Sequence, residues 1–479
     1  MREEAFQKAI ESDETIPLSE TYDVGATTID ASYEYIQKCR GLHDKDAAET
    51  FHRMGCVYAS AKQFEKAIES HQKALRVKKV ISSQVNENTA LSLRYLGTCY
   101  DATGNYEKSL EYYRESVQAC SDLEKALVLN KMGIVYNKLD KHHQALECYE
   151  KAMKIDSITK NKEYSYVLPL MLNNMGNIHF IKREDEKAVL CYKKAFEHGN
   201  NLKNSGENSS GALYNLGLIH FRRNSLDKAK KCFFEFIQLN KGNQDAVDVS
   251  IVLNNIGNIH CAQGQHDAAS ESYLMALKIK EDMYGNASPK ILGTLSNLSS
   301  TYIFMEEYNV AIKALERALD ISETDGTNES QIRSAAILNK IGNAFSKKRE
   351  FTKALKHYLK ALKLKRIVYG SSNHPEILLT RHNIGLVLGK AGKYDEAREV
   401  LEDVYKRQRQ ALDPGHAELA KLMLDLGGLH LCKGNDLQAT KLSKSAVELF
   451  KKHNFSENHP YMKQVRSINE RLKHNKTLV

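Results

Sequence analysis

Asn174, Asn215, Asn255 and Asn297 follow one another along the chain at steps of 40 to 42 residues. Asn383 continues the series. Two neighbouring slots recur with it: Asn130, Asn173, Asn254 and Asn339 one position earlier, and Asn177, Asn258 and Asn343 three positions later. Basic residues take equivalent places toward both sides, with Arg53, Lys131 and Lys340 in the main series and Arg94 one position before it. A carboxamide carries both a donor and an acceptor. A row of them can pair with both groups of an extended polypeptide backbone without dictating its side chains. Arg and Lys beside the row would draw carboxylates, which favours an acidic segment. The alternative for each Asn is a bond to the backbone of a neighbouring repeat.

Other reactive residue types offer less. His179, His220 and His260 recur at one slot, where elsewhere Tyr58, Tyr100, Tyr136 and Tyr302 stand. Zinc needs its ligands about 2.0–2.1 Å from one ion, and side chains stacked one repeat apart rarely converge, so these histidines read as packing substitutes for Tyr. Cys148, Cys191 and Cys232 also share a slot. Packed helices lie about 8–10 Å apart and a disulfide needs Cα atoms within about 7 Å, so the thiols read as small core fillers in a reducing compartment. Gly385-Leu-Val-Leu-Gly-Lys390 is one residue short of a phosphate loop and lies within a helical pattern. No GxSxG or HExxH occurs, and no cofactor or enzymatic activity is expected. Lys353, Lys356, Lys360 and Lys363 fall on one helix face and run on into Lys365 and Arg366. That face is either a docking stripe for an acidic surface or simply solvated charge.

The elements that must position the asparagines are written in a ruler of small residues. Gly55, Gly97, Gly133, Gly176, Gly217, Gly257, Gly342, Gly385 and Gly427 recur at steps of 36 to 43 residues, with Ser299 filling the one gap. Twelve residues after each mark stands Ala or Ser, from Ala67 and Ser109 to Ala439, and the residue before each mark is apolar. In Leu253-Asn-Asn-Ile-Gly257 and onward, a helical pattern ends at the turn Gly264-Gln265 and a second one restarts at Asp267. The chain of 479 residues is therefore an all-α solenoid of about ten helix–turn–helix repeats. A net charge of +9, from 69 basic and 60 acidic residues, is too mild for a nucleic-acid binder. No apolar signal core follows Met1 and no run reaches membrane-span length, so a cytoplasmic location without membrane insertion is expected.

The order large apolar, Gly, aromatic, Gly-turn, Ala, aromatic, Ala resembles the tetratricopeptide repeat, whose usual length is about 34 residues. The longer units here, with junctions such as Tyr369-Gly-Ser-Ser-Asn-His-Pro375 and Asn458-His-Pro460, are similar to the kinesin light chain and nephrocystin class. The resemblance covers residues 45–450 as ten repeats. Residues 1–44 are expected to hold an incomplete helical repeat and a loop from Thr15 to Ala31, without the heptads of kinesin light chains. Residues 451–479 are expected to hold a capping helix, Tyr461 to Lys473, and a short tail. Gly199 to Gly211 is expected to be a loop-rich insert, either a surface loop or a hinge.

The resemblance also implies a right-handed superhelix whose first helices line a concave groove, with the Asn and basic positions facing a bound peptide. The full Lys–Asn–Asn–Lys–Arg carboxylate clamp of chaperone adaptors is absent. The implied function is a non-enzymatic scaffold or adaptor holding an extended acidic segment of a protein partner. The alternative is a structural subunit of a cytoskeletal or ciliary assembly that uses convex and edge surfaces.

Overall fold

The computed structural model describes residues 45–81, 87–155, 167–200, 206–240, 246–323, 326–413, 416–453 and 459–477. Among them the regular structure is helical throughout. The expected incomplete repeat and loop in 1–44 lie outside the described residues. The chain divides into two compact units, Met1–Gly242 and Asn243–Val479.

The first unit holds five helix pairs: α1 (Lys45–Ser60) with α2 (Phe64–Ile81), α3 (Glu87–Ala102) with α4 (Tyr106–Val117), α5 (Asp122–Lys138) with α6 (His142–Met153), α7 (Val167–Ile181) with α8 (Asp185–Asn200), and α9 (Gly206–Arg222) with α10 (Leu226–Leu239). The second holds five more: α11 (Ala246–Ala262) with α12 (His266–Tyr284), α13 (Leu292–Phe304) with α14 (Tyr308–Ser322), α15 (Asn328–Lys347) with α16 (Phe351–Tyr369), α17 (Pro375–Lys390) with α18 (Tyr394–Ala411), and α19 (Ala417–Cys432) with α20 (Asp436–Lys452). A last helix, α21 (Pro460–Thr477), buries Val465, Ile468 and Leu472 in a cluster with Leu424, Ala446 and Phe450.

The ruler residues make each pair possible. A Cβ built on Gly176 would lie 2.4 Å from the Tyr192 ring, and one on Gly257 would lie 2.5 Å from the Tyr273 ring. The same aromatic slot, sixteen residues after the mark, holds Tyr113, Tyr149, Phe233 and Tyr358 against their own glycines. Each glycine is thus a hole shaped for a ring on the second helix. The Ala slot is fully buried at Ala67, Ala145, Ala188, Ala269 and Ala354. Where that slot holds Ser109, its hydroxyl donates to the Gly97 carbonyl at 2.7 Å, so the extra polar atom is satisfied.

Every pair turns through one residue of left-handed backbone, seven positions after the mark. Gly104, Gly264, Gly392 and Gly434 take it without strain, yet Lys62, Arg183, Glu306 and Arg349 adopt it too. The longer junctions use different chemistry. Gly370, at φ 65°, ends α16, and His374 then caps α17, its Nδ1 accepting from the Glu376 N–H at 3.3 Å. His416 accepts in the same way from Glu418 at 3.2 Å, and His459 from Tyr461 at 3.3 Å. The His-Pro junction is therefore a helix N-cap with proline at the first helical position.

One expectation needs correction. The stretch from Gly199 to Gly211 is not a loop across its length, because α8 continues to Asn200 and α9 begins at Gly206. Polar and Gly-rich composition lowers local helix propensity, but burial of Ala212, Leu213 and Leu216 in the packed first-helix layer overrides it. The division into compact units falls after Gly242, between the fifth and sixth repeats, rather than at this stretch.

Candidate peptide-binding faces

First helices touch one another across neighbouring repeats, α3 with α5, α5 with α7 and α7 with α9 in the first unit, and α11 with α13 and α13 with α15 in the second. That contact draws the first helices together on one side and leaves the second helices on the other. The asparagines sit on the first helices at differing depths.

Asn130 and Asn339 are each 8% exposed and belong to the packing between repeats. The Asn339 amide donates to the Thr380 hydroxyl of the next repeat at 3.0 Å, and the Oδ1 atoms of Asn130 and Asn339 are buried without a hydrogen-bond partner. Asn254 donates to the Ser250 carbonyl of its own helix at 2.9 Å. The main series is half-buried, including Asn174, Asn215, Asn255, Asn297 and Asn383, as are Asn177 and Asn258 after the glycine, whereas Asn343 is exposed.

Within each unit these shallower amides form a relay. In the first, the Tyr192 hydroxyl donates to Asn177 Oδ1 at 2.7 Å, and the same oxygen accepts from Asn215 Nδ2 at 3.1 Å. Asn215 Nδ2 also donates to Asn173 Oδ1 at 2.9 Å. In the second unit, Tyr273 donates to Asn258 Oδ1 at 2.7 Å and Asn297 Nδ2 donates to it at 3.4 Å. The Tyr358 hydroxyl holds Asn343 Oδ1 at 2.6 Å. Where Ile134 replaces the post-glycine Asn, Tyr149 reaches Asn174 of the next repeat instead. Burial pushes the Tyr192, Tyr273 and Tyr358 hydroxyls up, so they remain protonated donors. The relay polarises the amides. Asn177 and Asn258 spend their oxygens on the scaffold and Asn215 and Asn297 their nitrogens, so the opposite pole of each amide remains for a further partner.

The spacing of the asparagines does not point to the tyrosines that hold them, although a signal for them exists in the chain. Asn177 pairs with Tyr192, Asn258 with Tyr273 and Asn343 with Tyr358, whereas Leu218 accompanies Phe233 and Leu386 accompanies Leu401. A polar residue follows the glycine where the ring carries a hydroxyl, with Ile134 and Tyr149 the exception.

The basic positions differ among themselves. Burial, then the nearby Arg94, pulls the Lys131 ammonium below its usual range. Burial does the same to Lys340, whose Nζ donates to the Ser296 hydroxyl. Arg94 lies against the Tyr95 ring at 4.9 Å, and its Nε is buried without a hydrogen-bond partner. Arg53 is tied to Glu49 at 3.4 Å on its own helix. Toward the end of the second unit the series turns acidic. His382 Nε2 lies 2.8 Å from Asp425, which also accepts from Gln464 of α21 at 3.3 Å.

Two of the three recurring histidines bond to side chains at the turns of their own repeats. His179 Nδ1 lies 2.8 Å from Glu184, and His260 Nδ1 lies 2.7 Å from Gln265. Burial pushes the Cys148 thiol up to about 11 and raises those of Cys191 and Cys232. Among the described residues no helix is long and apolar enough to cross a membrane.

Comparison with known proteins agrees with this architecture. A 147-residue stretch is 29% identical to a clustered mitochondria protein homolog of Neosartorya fischeri, covering 30% of this chain and 11% of that protein. A 160-residue stretch is 28% identical to the homolog of Aspergillus niger, covering 32% of this chain and 13% of that one. The chain thus matches only a small part of the length of these relatives. Among solved structures, the apo form of RapI superposes with a TM-score of 0.51 at 15% identity, covering 73% of this chain and 98% of that one. BtubC (BKLC) from P. vanneervenii gives a TM-score of 0.41 at 21% identity over 50% of this chain and 94% of its own. The tetratricopeptide repeat signature matches residues 46–122, 126–159, 210–243, 248–324, 333–410 and 376–452. With the signature covering well over half its length, the chain belongs to the tetratricopeptide repeat family.

Proposed function

We propose that the chain is a cytoplasmic, non-catalytic adaptor whose first helices hold extended acidic segments of protein partners. The observation that carries this reading is the polarised amide relay. Tyr192 and Tyr273 orient Asn177 and Asn258 so that their nitrogens are unspent, while Asn215 and Asn297 keep their oxygens. An extended backbone offers carbonyls and N–H groups in alternation and can use both poles. Lys131 in the first unit and Lys340 in the second are cations already stripped of much of their water, so a carboxylate beside either recovers lost electrostatic energy.

The test is fluorescence anisotropy of the full chain with a labelled extended peptide rich in Glu, against the same peptide with Gln. Wild type should prefer the Glu peptide, and Asn215→Ala/Asn255→Ala/Asn297→Ala should weaken binding with little change in melting temperature. Equal binding by the triple variant would overturn the reading. A second reading, a structural subunit that uses its convex side, is favoured by exposed apolar residues on second helices, such as Leu190, Phe234, Leu274 and Met275.

A further inference from the structure

The outer face of α16 carries a stripe of cations and exposed aliphatic side chains that the inner-face reading does not use. Leu359 and Ile367 are 55% and 62% exposed, two turns apart on one stripe of the helix. Lys356, Lys360, Lys363 and Arg366 share that stripe, and no acidic residue of α16 accompanies them. Lys353, at its start, is already committed to Glu350 at 2.7 Å. Among the described residues none of the other four cations has an ion-pair partner. Beside them lies an open depression of about 330 Å³, lined by Leu359, Leu362, Lys363, Arg366 and Ile367.

A solvated helix face explains lysines. It does not explain two large aliphatic side chains set among them, next to a depression that can take an apolar side chain. We infer that this stripe docks an acidic amphipathic helix of a partner protein. Two apolar anchors about 12 Å apart along the partner, two turns of helix, would meet Leu359 and Ile367. Glu or Asp beside the anchors would meet Lys356, Lys360, Lys363 and Arg366. The platform is firm, because the Lys365 ammonium, 3% exposed, reaches the Glu376 carboxylate at 2.7 Å and its backbone carbonyl at 3.1 Å, tying α16 to α17.

The width of the stripe separates a helix from a broad anionic surface. The second helix of the next repeat, α18, exposes Glu399 and Glu402 beside Asp395 and Glu396, which are paired with Lys433 and Lys393, and that of the preceding repeat, α14, exposes Glu316 and Asp320. A lipid headgroup plane or a nucleic-acid backbone laid on α16 would meet these carboxylates as well. A single acidic helix fits between them.

The experiment uses the full chain and a labelled 18-residue helical peptide with Leu at i, i+4, i+8 and i+11 and Glu at the flanking positions, beside a copy with Lys for Glu. Wild type should bind the Glu peptide and not the Lys peptide. Lys356→Glu/Lys360→Glu/Lys363→Glu and, separately, Leu359→Asp/Ile367→Asp should each weaken binding about tenfold or more. Both changes lie on exposed positions, so the helical circular dichroism and melting temperature should stay at the wild-type values, and that control accompanies the measurement. The inner-face variant Asn215→Ala/Asn255→Ala/Asn297→Ala should bind this peptide as wild type does, which separates the two surfaces. No binding by wild type, or undiminished binding by the charge-reversed variant, would overturn the assignment. So would phosphatidylserine vesicles that sediment the chain through α16 while the peptide does not bind.

Discussion

The Tyr273 hydroxyl reaches across its helix pair to the Asn258 carboxamide at 2.7 Å, while its ring fills the hole left by Gly257. One side chain therefore does two tasks, closing the pair and setting which pole of an inner-face amide points outward. Tyr273→Phe separates them. The ring still packs, so the stability loss should be about 1 kcal/mol, the net worth of one hydrogen bond. Asn258 loses its main restraint, and affinity for an extended acidic peptide should fall several-fold. Urea melts and anisotropy on the same sample give both numbers, and undiminished affinity would remove Asn258 from the site.

Two ruler glycines should respond to alanine with opposite sign. At Gly257 the new methyl would lie 2.5 Å from the Tyr273 ring, an overpacking that costs about 1–3 kcal/mol. At Gly427 the nearest atom outside its own helix is the Ala439 carbonyl oxygen at 3.5 Å, an ordinary contact. Gly427→Ala should therefore gain up to about 1 kcal/mol of helix propensity. Chemical denaturation of the two variants tests the contrast.

The turns hold removable strain. Lys62, Arg183, Glu306 and Arg349 occupy left-handed backbone that costs an L-residue about 1–2 kcal/mol. Part of that gain returns as the greater chain entropy of glycine. Each change to Gly should stabilise its repeat by about 0.5–1 kcal/mol, and the quadruple variant should melt at a visibly higher temperature. Gly264→Lys should do the reverse.

Acid should weaken the first repeats. Burial, with help from Lys78 and Arg94, lowers His52 to about 3, and burial, His52 and Lys78 lower His71 to about 3. Both rings pack with Tyr95, and Cys56 lies 3.9 Å from His52. Their folded values lie below the unfolded 6.5, so the unfolded chain binds more protons between those limits. Stability should be constant above about pH 7 and fall as pH drops through 6.5 toward 3, by about 2 kcal/mol per histidine at pH 5. His71→Tyr, the residue type of the equivalent slot in other repeats, should flatten that slope in melts at pH 7.5 and 5.0.

Charge reversal distinguishes binding from folding on the inner face. Lys131→Glu with Lys340→Glu replaces two partly dehydrated cations without deleting a core side chain. Affinity for a Glu-rich peptide should drop about tenfold or more. A carboxylate in these partly dehydrated sites should lower the melting temperature modestly, so affinity is compared where circular dichroism shows each variant folded. Retained affinity would exclude these lysines.

Much of this protein is legible in one dimension because a solenoid is built from local contacts. Gly257, Ala269 and Tyr273 lie within seventeen residues of one another, so a helix pair is encoded by short-range spacing and its repetition defines the fold. Periodicity also assigned the asparagines to first helices. It could not rank their depth, since Asn130 and Asn339 sink between repeats while their neighbours Lys131 and Lys340 remain nearer the surface. Nor could composition foresee helix from Gly206 onward, where packing overrode weak local propensity. The amide orientations were the least legible of all. Which pole of Asn177 or Asn215 is spent depends on a hydroxyl fifteen residues away and an amide in the next repeat, and only the packed helices bring those atoms within bonding distance.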